Sequence, residues 1–399
     1  MKIDKTILAY HLANFSVSLD FILPIWLIFF TVTVGFSATE SMILGVGAYL
    51  ISLLLEIPTG IIADKFGPKI SYISGSLLFF VGMLFYLFPP SFWLYAASSV
   101  VTAIGIALMS GSLESLIFEY LNETHQTEKY ASITSNKQSL FFIGRVIGSI
   151  AGAYVFLINP ILPFILIGTN HLISGFFVSK IKIAHKAKLE ILNKDILSKA
   201  LTQIKLVLKE NPLSGFLLFA IFSQTLLTDL YFYTYPVFLK DLNLNLEFLG
   251  YLFAIVSICS ALGSQLFKRY FSTKYLWIIL YLGVSSILIS ALIYINNPIT
   301  FFVALIVQGL SSGFIWPCIY SFWQPKIEKH NRTTVLSIFS FCMTIFSSSS
   351  ALISGIVLDK YGLTSLRLYV MIIILIITFG TSIWYFINHQ KFLETSFQS

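Results

Sequence analysis

The chain has 399 residues, of which 57% are hydrophobic and only 11% charged, with a net charge of +7 and a mean hydropathy of +0.85. A soluble domain carries roughly 25% charged residues, so this composition excludes a soluble enzyme or binding module and leaves the bilayer as the natural solvent. The six His are scattered, the three Cys fall inside apolar runs and no P-loop spacing occurs, so the chain presents no metal centre, no cofactor site and no machinery for an ATP-driven pump.

About twelve apolar segments recur, at 7–34, 41–63, 70–88, 92–120, 131–157, 163–180, 213–239, 248–267, 275–295, 299–323, 335–358 and 367–388. Each is long enough, at 1.5 Å per residue, to cross a core about 30 Å thick as a helix. The runs are continuous rather than alternating, which predicts helices and not barrel strands.

The first segment holds Asp20 near its middle, with Pro24 and Trp26 beyond it. It is too long for a signal peptide, carries that acid and precedes no small-residue cleavage site, so it reads as a retained span. The second segment carries Glu56 and ends in "GIIADKFGPK", residues 60–69. There Gly67 permits a turn denied to other residues, and Pro68 suits the first turn of the following helix. The fourth segment holds Glu114, with Glu119 at headgroup level; the fifth holds Arg145 beside Gly144, Gly148 and Gly152, a four-residue repeat that lets another helix approach closely. Arg145 reads as the deep cation able to neutralise an embedded acid, with Glu114 as its expected partner and Glu56 second.

Between the sixth and seventh segments lies the one long polar stretch, with eight lysines from Lys180 to Lys209. Leu189, Leu192, Ile196, Ala200, Ile204 and Leu208 recur in it at helical spacing, which predicts an amphipathic helix on the cytoplasmic leaflet or a solvated linker. The chain therefore divides into a six-span bundle over 1–180, a basic linker over 181–211 and a second six-span bundle over 212–399. The halves echo each other: Asp229 with Pro236 in the seventh segment answers Asp20 with Pro24, and "GSQLFKRYFSTK" from Gly263 places Lys268 where the first half has Lys65. Asp229 also opens "DLYFYTYP", where Tyr231 and Tyr235 set rings beside an acid. Gln308 and Trp316 lie in the tenth segment.

With the N-terminus in the cytoplasm, 20 of the 25 Lys and Arg fall at the termini or in even-numbered loops, and only Lys240, Lys360 and Arg367 in odd-numbered ones. The positive-inside rule then puts both termini in the cytoplasm of an inner, plasma membrane. The net charge is accounted for by topology and anionic lipid, with no nucleic-acid partner.

The stretch from Gly60 to Lys69 resembles the loop motif between helices 2 and 3 of the major facilitator superfamily, Gly-x-x-x-Asp-(Arg/Lys)-x-Gly-x-(Arg/Lys), satisfied by Gly60, Asp64, Lys65, Gly67 and Lys69. Pro68 departs from it, standing where the family often has Arg. The resemblance implies an all-α fold of two pseudo-symmetric six-helix bundles that rock about a midplane site. It also implies that Asp64 helps clasp one side shut, and that Trp26 and Trp316 lie on cavity-lining helices. "FIGRVIGSIAGA" in the fifth segment looks like a degenerate form of the superfamily's antiporter motif, with Ser149 where a Pro is usual and Ala153 replacing a further Gly.

A charge at the membrane centre costs roughly 2.5–3.5 kcal/mol even on lenient scales, so Asp20, Glu56, Glu114 and Asp229 should each face a cavity, a partner or a proton. A carboxylate left unpaired in low dielectric favours its proton-bearing form, and Asp20 is the first candidate carrier. Together these features predict a monomeric proton-coupled exporter of small lipophilic or cationic compounds, recognised by Trp26, Tyr231, Tyr235, Gln308 and Trp316. A carrier of a polar metabolite on the same fold would instead show a cavity dominated by Asn14, Gln224 and Gln308. A membrane-embedded enzyme or receptor is disfavoured by the short loops and the absence of a catalytic cluster.

Overall fold

The computed structural model of the chain describes residues 4–181, 195–210, 215, 217–218, 220–227, 239, 245, 248–271, 275–295, 297–323, 326–327 and 332–396. These residues are almost wholly helical. Among them seven helices are long and apolar enough to cross a membrane, and two shorter apolar helices, Leu280–Tyr294 and Pro298–Ser312, accompany them. The protein is an all-α integral membrane protein.

The chain divides into two compact units, one of Met1–Glu190 with Leu244–Ala254, the other of Ile191–Asn243 with Ile255–Ser399. In the first, α1 (Lys5–Ser18) is capped by Asp4, whose carboxylate accepts from the N–H groups of Thr6 and Ile7. α2 (Ala38–Phe66) starts from a reciprocal capping box, in which Ser37 and Glu40 each satisfy the other's backbone N–H. α2 stops at Gly67, whose φ of 95° and ψ of 145° are open only to glycine, and Pro68 opens α3 (Pro68–Leu84) at its first position. α4 (Phe92–Met109), α5 (Ser112–Glu123), α6 (Tyr130–Ile158) and α7 (Leu162–Ser179) complete the unit. α3 packs on α4 and α7, α2 on α4, and α1 on α6 and α7. The first turn of the helix starting at Phe248 also belongs here: the Tyr251 and Tyr154 hydroxyls lie 2.9 Å apart, and Gly250 abuts the Ser149 carbonyl.

Two spans expected to be continuous are broken. The fourth is interrupted at Ser110–Gly111, where Gly111 adopts φ 67° and starts α5 afresh. The first is interrupted after Ser18, resuming as helix only at Trp26–Ile28 and continuing as a π-helical stretch over Phe29–Val34.

In the second unit, α8 (Asp195–Glu210) is the predicted linker helix. Its Val207, with Ile204 and Leu208, packs into a core with Leu217, Ile278, Phe314, Phe322 and Phe339. At this end protein, not the leaflet, covers the apolar face, because the second unit offers a complementary apolar surface. α9 (Phe248–Leu266) and α11 (Pro298–Ser312) approach closely through Gly263 and Gly309, with α10 (Tyr275–Tyr294) beside them. α12 (Arg332–Ser396) is kinked at Gly362, φ 75°.

Candidate functional site at the broken first span

Bare backbone cannot stand in lipid, so an interrupted span must find partners for every freed N–H and C=O. α1 carries the chain about 21 Å along its axis from Lys5 before the interruption. Several of its polar groups have partners within the unit. The Ser18 hydroxyl donates to the Phe15 carbonyl at 2.7 Å, and the Asp20 N–H donates to Ser18 O at 2.9 Å. The Leu19 carbonyl accepts from Asn170 Nδ2 of α7 at 3.3 Å. On the far side, Asp20 Oδ1 accepts from the N–H groups of Ile22 and Leu23 at 3.2 and 3.0 Å, as an N-cap does. Asp20 is thus both the acid of the span and the cap of its second half.

The glycine repeat of α6 makes room for this arrangement. A Cβ at Gly144 would meet the Ser18 side chain, one at Gly148 the Asp20 amide nitrogen, and one at Gly152 the Phe21 carbonyl. Three successive turns of α6 therefore lie directly against the broken backbone, which places Arg145 where its field acts on Asp20. The Arg145 guanidinium also lies over the Phe141 ring, 5.6 Å from its centroid.

The expected pairing of Arg145 with Glu114 is corrected here. Glu114 forms its ion pair with Lys137 of α6. The break at Gly111 puts Glu114 in the first turn of α5, where a helix N-terminus favours a carboxylate, and the long Lys137 side chain reaches it. Asn14 Nδ2 donates to the Lys137 carbonyl at 3.1 Å and holds α1 at the same level. The Glu114 side chain keeps 42% of its exposure, so the pair is worth on the order of 1 kcal/mol. Glu114→Gln or Lys137→Met alone is expected to lower the apparent Tm by about 1–2 °C. The double variant should recover part of the loss, a coupling that a double-mutant cycle measures.

Glu56 lies on an exposed face of α2, two residues before Pro58, and no ionic partner for it occurs among the described residues. Thr59 braces that turn, its hydroxyl contacting the carbonyls of Leu55 at 2.8 Å and, across the helix interface, Ala107 at 3.1 Å. In the loop motif, Lys69 Nζ donates to the Ile181 carbonyl beyond the end of α7 at 2.8 Å, and Lys65 lies over the Phe66 ring. Gly60 sits in regular helix, and a Cβ there would meet nothing. The side chain of Asp64 lies outside the described residues.

Trp26 is buried against Gly45 of α2. Beyond it Phe29, Tyr86, Tyr95 and Phe164 form a ring cluster, Tyr86 stacking on Phe164 at 4.0 Å and on Tyr95 at 4.6 Å, which anchors the outer half of the broken span. Gln308 is buried in α11, and the Ser286 hydroxyl donates to the buried Gln224 side-chain carbonyl at 3.0 Å. Asp229, Tyr231, Tyr235 and the Trp316 side chain lie outside the described residues. Sequence reasoning missed Asn170 and Lys137; a polar amide in an apolar span was the available signal for the first, and a second cation in the fifth span for the other.

Comparison with known proteins places this geometry. The chain is 21% identical over 365 residues to the uncharacterized MFS-type transporter YxaM of Bacillus subtilis (strain 168), covering 88% of this chain and 89% of that protein. Its fold matches the crystal structure of the nucleoside transporter NupG with a TM-score of 0.77 at 13% identity, over 96% of this chain and 99% of that one. It matches a D-xylose-proton symporter with a TM-score of 0.71 at 13% identity, over 94% and 97%. The family model of the Major Facilitator Superfamily matches residues 6–348, and the chain belongs to that superfamily, as a multi-pass secondary transporter.

Proposed function

We propose that the protein is a proton-coupled exporter of small lipophilic or cationic compounds, acting as a monomer in the plasma membrane with both termini in the cytoplasm, and that Asp20 is the coupling acid. The observation that carries this reading is the Asp20 carboxylate, set in the break of the first span under the field of Arg145. When ionised, Asp20 is held by two backbone N–H groups and attracted to Arg145. When it takes up a proton that attraction falls away and α1 is free to shift against α6. A proton and a cationic substrate then favour different states of one element, which is what alternating access requires. The turn at Gly67–Pro68 and the basic ends of the loop motif support a cytoplasmic clasp involving Asp64.

A second reading, a proton-coupled carrier of a polar metabolite, is favoured by the fold neighbours, which are named a nucleoside transporter and a D-xylose-proton symporter. Against it, Asn14 is engaged in holding α1 to α6, and Gln224 is engaged with Ser286. Purified protein in liposomes with an imposed pH gradient separates the two. Lipophilic cations should be driven against their gradient by inward-directed protons, while nucleosides and pentoses should not. Accumulation of a sugar or nucleoside in place of the cations would select the second reading, and transport indifferent to the gradient would remove proton coupling from both.

A further inference from the structure

The peptide that joins Leu19 to Asp20 is held by a side chain from another helix. Asn170 Nδ2 on α7 donates to the Leu19 carbonyl at 3.3 Å, and one turn further along α7 the Ser174 hydroxyl donates to the Ala13 carbonyl of α1 at 2.9 Å. Tyr72 on α3 lies 2.7 Å from that Ser174 hydroxyl and fixes it in turn. α7 therefore grips α1 at two carbonyls, one inside regular helix and one at the break.

The two grips differ in consequence. The Ala13 carbonyl belongs to the continuous part of α1, so the Ser174 bond only adds to packing. The Leu19 carbonyl has left the helix, and its orientation fixes the plane of the peptide whose nitrogen is that of Asp20. That nitrogen donates to Ser18 O at 2.9 Å, and the Asp20 carboxylate then falls under the N–H groups of Ile22 and Leu23. A rotation of this peptide would carry the carboxylate away from both donors and from Arg145 together.

We infer that Asn170 is a positioning residue of the coupling site, acting through the Leu19 carbonyl to hold the Asp20 carboxylate against its two backbone donors and within the field of Arg145. This rests on the proposal that Asp20 is the coupling acid. Among the described residues, few charged or titratable groups face Asp20. From α6 it is Arg145. From α7 the neighbouring His171 is turned away, its ring stacked on Phe79 of α3 at 3.7 Å and its Nδ1 at the Ile167 carbonyl. From α5, Glu114 is paired with Lys137.

The test is an infrared titration of the protonated carboxyl band of the full-length protein in liposomes, the Asp20 band being the one that Asp20→Asn removes. Asn170→Leu keeps the volume and removes the donor, so the carboxylate loses part of what favours its ionised form. The band's midpoint should move to higher pH by about one unit. Ser174→Ala removes the other α1–α7 bond and should leave the midpoint where it is, while Asn170→Gln, which keeps an amide donor, should restore it in part. If Asn170→Leu folds poorly, Asn170→Ala gives the same readout. An unchanged midpoint in Asn170→Leu and Asn170→Ala, or an equal shift in Ser174→Ala, would overturn the positioning role while leaving Asp20 in place. The absence of any titrating band that Asp20→Asn removes would overturn the reading beneath it as well.

Discussion

Asp20→Asn is expected to abolish transport driven by a pH gradient while leaving substrate binding measurable and no longer dependent on pH. The asparagine side-chain oxygen can still accept from the N–H groups of Ile22 and Leu23, so the cap survives and the second half of the span keeps its start. What disappears is the charge, and with it both the titration and the attraction to Arg145. The variant should therefore fold to normal amounts, bind substrate in detergent with one affinity across the pH range, and equilibrate it without concentrating it. The measurements are ligand binding by scintillation proximity or calorimetry at several pH values, and uptake into liposomes with and without a proton gradient. A variant that still concentrates substrate using protons would strip Asp20 of the role and move attention to Glu56 and Asp229. Loss of binding at every pH would make Asp20 a substrate contact rather than a proton carrier.

Gly148→Ala is expected to cost on the order of 3 kcal/mol, in contrast to Gly60→Ala, which should be neutral or slightly stabilising. A methyl group on Gly148 meets the backbone nitrogen of Asp20, which cannot swing aside as a flexible side chain would; Gly152 is confined by the Phe21 backbone in the same way, and Gly144 by the Ser18 side chain. The cost is paid by separating α6 from α1, and that separation also withdraws Arg145 from Asp20. Gly148→Ala should accordingly lower the apparent Tm in detergent and reduce proton-driven transport of whatever protein folds. At Gly60 a methyl group meets nothing, and the residue is in regular helix, where alanine is favoured by roughly 0.5–1 kcal/mol. Thermal unfolding of the two variants side by side decides the matter. Equal stability would mean that the glycine repeat is not a packing surface.

These expectations bear on how the site is built. A broken span is stable only where its missing hydrogen bonds are supplied, and the suppliers here are single polar groups, one from another helix and two from the span itself. Asn170 serves the Leu19 carbonyl and Ser18 the Phe15 carbonyl, while Asp20 serves two N–H groups beyond the break. The ring cluster of Phe29, Tyr86, Tyr95 and Phe164 then fixes the outer half by packing alone. Rings that composition alone offers as a substrate surface are in this unit largely structural.

The amino-acid sequence by itself determined the solvent, the helical class and the superfamily. Length and continuity of apolar runs are one-dimensional properties, and a loop motif such as Gly60 to Lys69 reports a turn whose geometry is local: Gly67 and Pro68 adopt the backbone their chemistry demands. It also singled out Asp20, Arg145 and the glycine repeat, because a charge or a string of glycines in an apolar span is conspicuous wherever it folds. Which charges meet was decided only in three dimensions. Glu114 answers to Lys137 rather than Arg145 because Gly111 restarts the helix just before it, and the field of Arg145 reaches Asp20 because Gly144, Gly148 and Gly152 let α6 lie against a break in α1. That break itself is not visible in hydropathy, which records the cost of side chains in lipid and says nothing of a backbone whose Leu19 carbonyl is satisfied from a neighbouring helix and whose N–H groups beyond the break are satisfied by its own Asp20.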